Sequence, residues 1–141
     1  TLAFLSQDKD HLVRWAVASN PSIPPEIMVF LIHDKDYSVR SRIAENPSAT
    51  SDILIMLSKD ESSMVRMEVA KNLNTPPDIL TALIRDGYWP VRYYVAKNPH
   101  TPHATLTSLC QDDDFRVPLT VFQNLNAPYG IWSKHYGRVL P

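Results

Sequence analysis

The side chains able to do chemistry are few, and most of them recur at a fixed interval. His100 and His103 stand close together between Pro99 and Thr107, a turn in which two imidazoles could begin a metal site. A protein zinc site needs at least three ligands, and no cysteine or carboxylate adjoins this pair, so no metal is expected. Asp112-Asp113-Asp114 clusters carboxylates, but it falls in the same inter-helix loop as the single aspartates elsewhere, where aspartate accepts from helix N-terminal amides. Cys110 is the one cysteine, which excludes an intrachain disulfide or a cysteine cluster and points to a reducing compartment. It shares a column with Ile32 and Ile84, so a buried small hydrophobe fits it better than a nucleophile. His11, His33 and His135 occupy unrelated positions of surface or cap type. Nothing assembles a nucleophile with a base and an orienting acid, so neither catalysis nor a cofactor is expected.

Arg14, Arg40, Arg66 and Arg92 step by 26 residues, a spacing that could track a phosphate backbone. The charge balance opposes this: 14 Lys plus Arg stand against 15 Asp plus Glu, a formal net charge of −1 that draws neither nucleic acid nor an anionic membrane. Asp8, Asp34, Asp60 and Asp86 precede these arginines by six residues, and Asp112 continues their column. On a helical wheel each arginine lies in the arc of Val13, Val17 and Ala18, so its stem faces the stack. An Asp–Arg ladder bracing loop backbones between repeats follows, since guanidinium makes bidentate, orienting contacts. Pro118 ends it. Asn20, Asn46, Asn72, Asn98 and Asn124 form a second ladder, their amides suited to turn backbone groups left open at a helix end.

The elements that must hold these columns follow from the same period. Val13, Val39, Val65, Val91 and Val117 are each followed four residues later by Val17, Ile43, Val69, Val95 and Val121, a helical spacing. Ala18, Ala44, Ala70 and Ala96 come next and let a neighbouring helix approach; Phe122 replaces them in the fifth copy. Prolines such as Pro24-Pro25, Pro76-Pro77 and Pro102 then close one helix and open another, whose apolar stripe reads Ile27, Met28, Leu31, Ile32 and its repeats. Helices of two to three turns are unstable alone, so the units must stack. The chain thus divides into a half-repeat (1–7), repeats 8–33, 34–59, 60–85 and 86–111, and a degenerate capping repeat (112–141) in which Gly130, Trp132 and Gly137 break the pattern. The half-repeat reads as a cap or as the remnant of a trimmed unit.

No apolar run exceeds the six residues Ile27 to Ile32, far below the roughly 20 that span a bilayer. The N-terminus has neither the basic region nor the cleavage site of a signal peptide. A soluble, cytoplasmic protein is expected.

Val91-Arg92-Tyr93-Tyr94-Val95-Ala96-Lys97-Asn98-Pro99-His100-Thr101-Pro102, followed by a leucine-bearing helix, resembles the variant leucine-rich repeat, a relative of HEAT-like repeats. The resemblance extends over nearly the whole chain. It implies an all-α, right-handed superhelix of about five two-helix repeats, in which one helix of each pair can be 3₁₀. It implies no reaction. Founding members add a cysteine-rich segment with an iron–sulfur cluster, which has no counterpart here.

Function is left to the columns that vary: Trp15, Ser41, Met67, Tyr93 and Leu119, then Ala16, Arg42, Glu68, Tyr94 and Thr120, with Tyr37, Tyr88 and Trp89 in adjoining loops. On the wheel they point away from Val13 and Val17, toward solvent. They form either a partner-binding patch or a packing seam between helices or chains. The leading expectation is a protein- or peptide-binding scaffold centred on Trp15, Arg42, Met67, Tyr88, Trp89, Tyr93 and Tyr94. Its rivals are a nucleic-acid-binding solenoid like the HEAT-like DNA glycosylases, which the charge opposes, and a structural segment of a longer repeat protein.

Overall fold

The computed structural model describes residues 1–128, 130 and 131. The cap features at Trp132, His135 and Gly137 lie outside the described residues. Along the chain run α1 (Leu2–Leu5), α2 (His11–Ala18), α3 (Pro25–Leu31), α4 (Tyr37–Glu45), α5 (Ser51–Leu57), α6 (Ser63–Lys71), α7 (Pro77–Leu83), α8 (Trp89–Lys97), α9 (His103–Leu109) and α10 (Arg116–Val121). Among the described residues there is no strand, and both helices of each pair are α rather than 3₁₀.

Local chemistry sets the boundaries. Asp10 and Asp36 accept from the Leu12 and Ser38 amides and so cap α2 and α4. Pro25 and Pro77 occupy the first position of α3 and α7, where the missing N–H costs nothing. Helices α4, α6 and α8 all stop at an asparagine in extended backbone, Asn46, Asn72 and Asn98. A following proline disfavours helix at Asn46 and Asn98, yet Asn72 stops its helix before Leu73, so the asparagine side chain itself must be decisive.

Helices α2, α4, α6, α8 and α10 pack consecutively against one another in a single layer. The second helices α3, α5, α7 and α9 pack onto this layer, and among the described residues no two of them meet comparably closely. The closely spaced layer therefore lies on the inside of any bend. Between the layers Met28, Leu31, Val39, Ile43, Leu54, Val65, Val69, Leu80, Val91, Val95 and Leu106 are fully buried. The alanines Ala18, Ala44, Ala70 and Ala96 are at 0% exposure, which is what lets adjacent first helices approach.

Two polar ladders tie the units together. Arg14 Nε and Nη2 donate to Asp34 at 2.6 and 2.9 Å, and Arg40 to Asp60, Arg66 to Asp86 and Arg92 to Asp112 repeat the fork with Nε at 2.6 to 2.7 Å. The third nitrogen, Nη1, donates to the carbonyl of the aspartate six residues earlier, at 2.6 Å for Arg40 and Asp34. Each arginine thus uses that earlier residue's backbone and the next unit's carboxylate. The carboxylates meanwhile accept the amide two residues on, as Asp34 does from Asp36. In the asparagine ladder, Asn72 Nδ2 donates to the Ala44 and Asn46 carbonyls at 2.8 and 3.1 Å, one unit back, while its Oδ1 accepts from Asn74 N. Asn46, Asn98 and Asn124 do the same.

The rungs are unequal in cost. Removing one partner of a buried ion pair costs about 3–5 kcal/mol, because a charge is left buried alone. Arg40 and Asp60 side chains are both 8% exposed, whereas Asp8 receives Arg14 only on its backbone carbonyl and its carboxylate meets no arginine among the described residues. Asp60→Ala should lower the unfolding free energy read from urea titration by that margin, while Asp8→Ala should cost under about 1 kcal/mol; equal effects would show that the ladder adds nothing. Asn72→Ala, which strands two carbonyls, should cost about 2–3 kcal/mol.

The same pairs set the acid response. Burial alone would raise the Asp34 carboxyl, but the Arg14 guanidinium and the Asp36 amide outweigh it and hold it below the ordinary 3.8; Arg66 and the Tyr88 amide do so for Asp86. As pH falls the unfolded chain protonates first, so the stability these pairs contribute is complete above about pH 4 and is lost as pH drops through the lower native values. Urea midpoints from pH 7 to pH 2.5 should fall steeply below pH 4, and Asp34→Asn should flatten that fall.

Candidate functional site

The groups that could have suggested catalysis or metal binding are dispersed. His100 Nδ1 lies 2.8 Å from the Leu73 carbonyl one unit back, in the register where Ser48 donates to Pro21, Asn74 to Pro47 and Asn126 to Pro99. His100 is a rung of a third ladder, while His103 is exposed at the start of α9. Among the described residues no three His, Cys, Asp or Glu side chains gather to hold a metal ion. Cys110 is buried with its thiol directed at the Leu106 carbonyl, and burial pushes its pKa up, away from nucleophilic use. Asp112 belongs to Arg92 and Asp114 to Arg116, leaving Asp113 exposed. His11 lies 3.7 Å from Asp10 and His33 is exposed.

The varying columns lie on the solvent side of the first-helix layer, but the expectation that they are freely exposed needs correction. Glu68 and Thr120 are buried, at 8% and 5%. Trp15, Met67, Tyr93 and Tyr94 are half-buried and packed against the core, and Ser41, Arg42 and Trp89 are half-buried as well. Leu119, Tyr37 and Tyr88 remain exposed at 53%, 52% and 39%, and Ala16 is exposed. Close spacing of the first helices is the cause. Side chains on the inside of a bend converge and cover one another, which a wheel drawn for one helix does not register.

The convergence produces stacks across unit boundaries. The Arg42 guanidinium sits 4.1 Å from the centre of the Trp15 ring of the preceding unit and pairs with Glu45 at 2.7 Å. Lys71 Nζ reaches Glu68 at 2.7 Å and lies 5.3 Å from the Tyr94 ring. Burial pulls the Lys71 pKa down, and Glu68 more than reverses it, so the ammonium is held charged. Trp89, Tyr93 and Tyr94 run edge to face, with centroids 6.0 and 5.1 Å apart. Arg116 then lies 3.3 Å over the Trp89 ring, gripped by Asp114, whose carboxyl its hydrogen bond holds down at about 2. Where Pro118 ends the buried ladder, Arg116 two residues earlier takes a different pairing. A cleft of about 290 Å³ opens beside Tyr94 between Lys71, Leu73, Lys97 and Pro99.

Sequence reading missed Leu12 and Met64, exposed at 61% and 40%, together with Arg116, Lys71 and Lys97. The signal was there: they stand three residues before or four after the chosen columns, on the same helical stripe. The third ladder was likewise marked by the polar residue two places after each asparagine.

No protein-family model matches the chain, and no curated protein matches it in sequence. Among solved structures it is similar to one described as a leucine-rich repeat variant with a novel repetitive protein structural motif, with a TM-score of 0.77 and 28% identity. The match covers 94% of this chain and 53% of that one, so the chain spans about half of its length. Stacked helix pairs in one register, asparagine and arginine rungs between them and this structural match identify the chain as an all-α repeat solenoid with the fold of a leucine-rich repeat variant.

Proposed function

We propose that the chain is a non-catalytic interaction module that binds an extended protein or peptide segment along the face of its first helices. The carrying observation is the clamping of large rings across unit boundaries, Trp15 under Arg42 and Trp89 under Arg116. Rings held in place before a partner arrives lose little rotamer freedom on binding, so their apolar area converts efficiently into affinity. Exposed Leu12, Met64 and Leu119 extend the same strip along successive helices. Cations and anions nearly cancel there: Arg42 has Glu45, Lys71 has Glu68 and Arg116 has Asp114. That balance favours a peptide over a polyanion, whose affinity would rest on uncompensated cations.

The test is a display selection of random peptides on the chain, followed by anisotropy with the best peptide. Met64→Glu and Leu119→Glu replace exposed side chains, so each should weaken binding about tenfold or more with no loss of melting temperature. Tyr94→Ala should lower both affinity and melting temperature, because its ring also packs on the core. Peptides that bind all variants equally would place recognition elsewhere, and an empty selection would reject the module.

A further inference from the structure

On the opposite side of the array, each second helix presents to solvent the stripe that its buried residues leave over. In α3 and the turn after it the stripe runs Glu26, Val29, Phe30, His33; in α5 and its turn, Asp52, Ile55, Met56, Lys59; in α7 and its turn, Asp78, Thr81, Ala82, Arg85. These sit three, four and seven residues apart, one side of a helix. Val29, Phe30, Ile55 and Met56 are exposed at 51%, 53%, 37% and 50%, and Phe4 of α1, in the register of Phe30, at 76%. Single exposed apolar residues need no explanation, but the same two positions on adjacent helices form a patch. The patch fades at Thr81 and Ala82, then at Thr107 and Ser108 of α9.

The rims of the patch differ in sign. Glu26, Asp52 and Asp78 line the edge at the helix N-termini, and His33, Lys59 and Arg85 the edge at the C-termini; all six are exposed. Helix dipoles favour this order. They do not explain why none of the six forms an ion pair among the described residues, when the inner face pairs nearly all of its charges.

We propose that this outer face takes a second copy of the chain, related by a two-fold axis running along the array. Such an axis sets each helix against its own counterpart reversed. Asp52 then meets the partner's Lys59, Asp78 meets the partner's Arg85, and the apolar residues close on one another between the rims. A two-fold axis parallel to the helices would set acid against acid, so the charges select one pairing.

Sedimentation of the full chain up to about 200 µM tests this. The expected species has the mass of two 16.0 kDa chains. Phe30→Asp and Met56→Asp should give monomers with unchanged circular dichroism. Asp52→Lys and Lys59→Asp should each weaken association about tenfold or more, and D52K/K59D should restore it. A monomeric parent chain, a dimer indifferent to Met56→Asp, or a double swap that fails to rescue would each overturn the proposal.

Discussion

An α-helix leaves its first four amides and last four carbonyls without internal partners, and in a helix of nine residues such as α4 that is close to half of all its backbone groups. Short helices therefore depend on what lies at their ends, and here much of it is supplied by the neighbouring unit. Asn72 binds the carbonyls of Ala44 and Asn46, which belong to the end of α4, while Asp34 receives Arg14 from the unit before. Within a unit, Thr75 and Thr101 donate to Val69 and Val95 and close the ends of α6 and α8. A unit that lost its neighbour would expose its apolar stripe and also strand these polar groups. Stability is then shared between adjacent units in pairs.

That dependence explains which residues were legible in sequence. A rung works only if every unit carries the same group at the same place, so Asn20 to Asn124 and Arg14 to Arg92 repeat at 26 residues and declare themselves. The partner of each rung was less legible. Asp34 stands six residues before Arg40, and the repeat leaves open which arginine its carboxylate meets. Arg40 reaches the Asp34 carbonyl, while the carboxylate turns to Arg14, 20 residues earlier. Repetition identifies a column but not the offset at which two columns meet, because every unit offers the same choice.

The side of the layer on which the varying columns stand was legible in sequence, and their exposure was not. Position on a helix tells which side chains avoid the core, and Trp15, Met67, Tyr93 and Tyr94 do stand on that side. Whether such a residue is open depends on how near the next helix comes. The alanine column admits close approach along the first helices, so Glu68 and Thr120, which a wheel turns toward solvent, end at 8% and 5% exposure. The second helices lie farther apart, and there the equivalent outward positions, Phe30 and Met56, stay half open.

The unequal spacing of the two layers thus divides the surface into faces with different physics. On the inner side neighbouring side chains must satisfy one another, which is why its charges are paired and its rings are clamped by cations. On the function proposed above, a surface so finished would recognise a partner by shape and apolar area, since little net charge is left to steer an encounter. The outer side is more open: Val29, Phe30 and Met56 stay about half exposed, and its rim charges form no ion pair among the described residues. Its charges are separated into two rims, an arrangement complementary only to a surface with the reverse order. Among surfaces of known composition, the same face turned end for end meets that requirement without further assumption. Crowding on one face and vacancy on the other both follow from the small residue at Ala18, Ala44, Ala70 and Ala96, which brings one layer together and leaves the other apart.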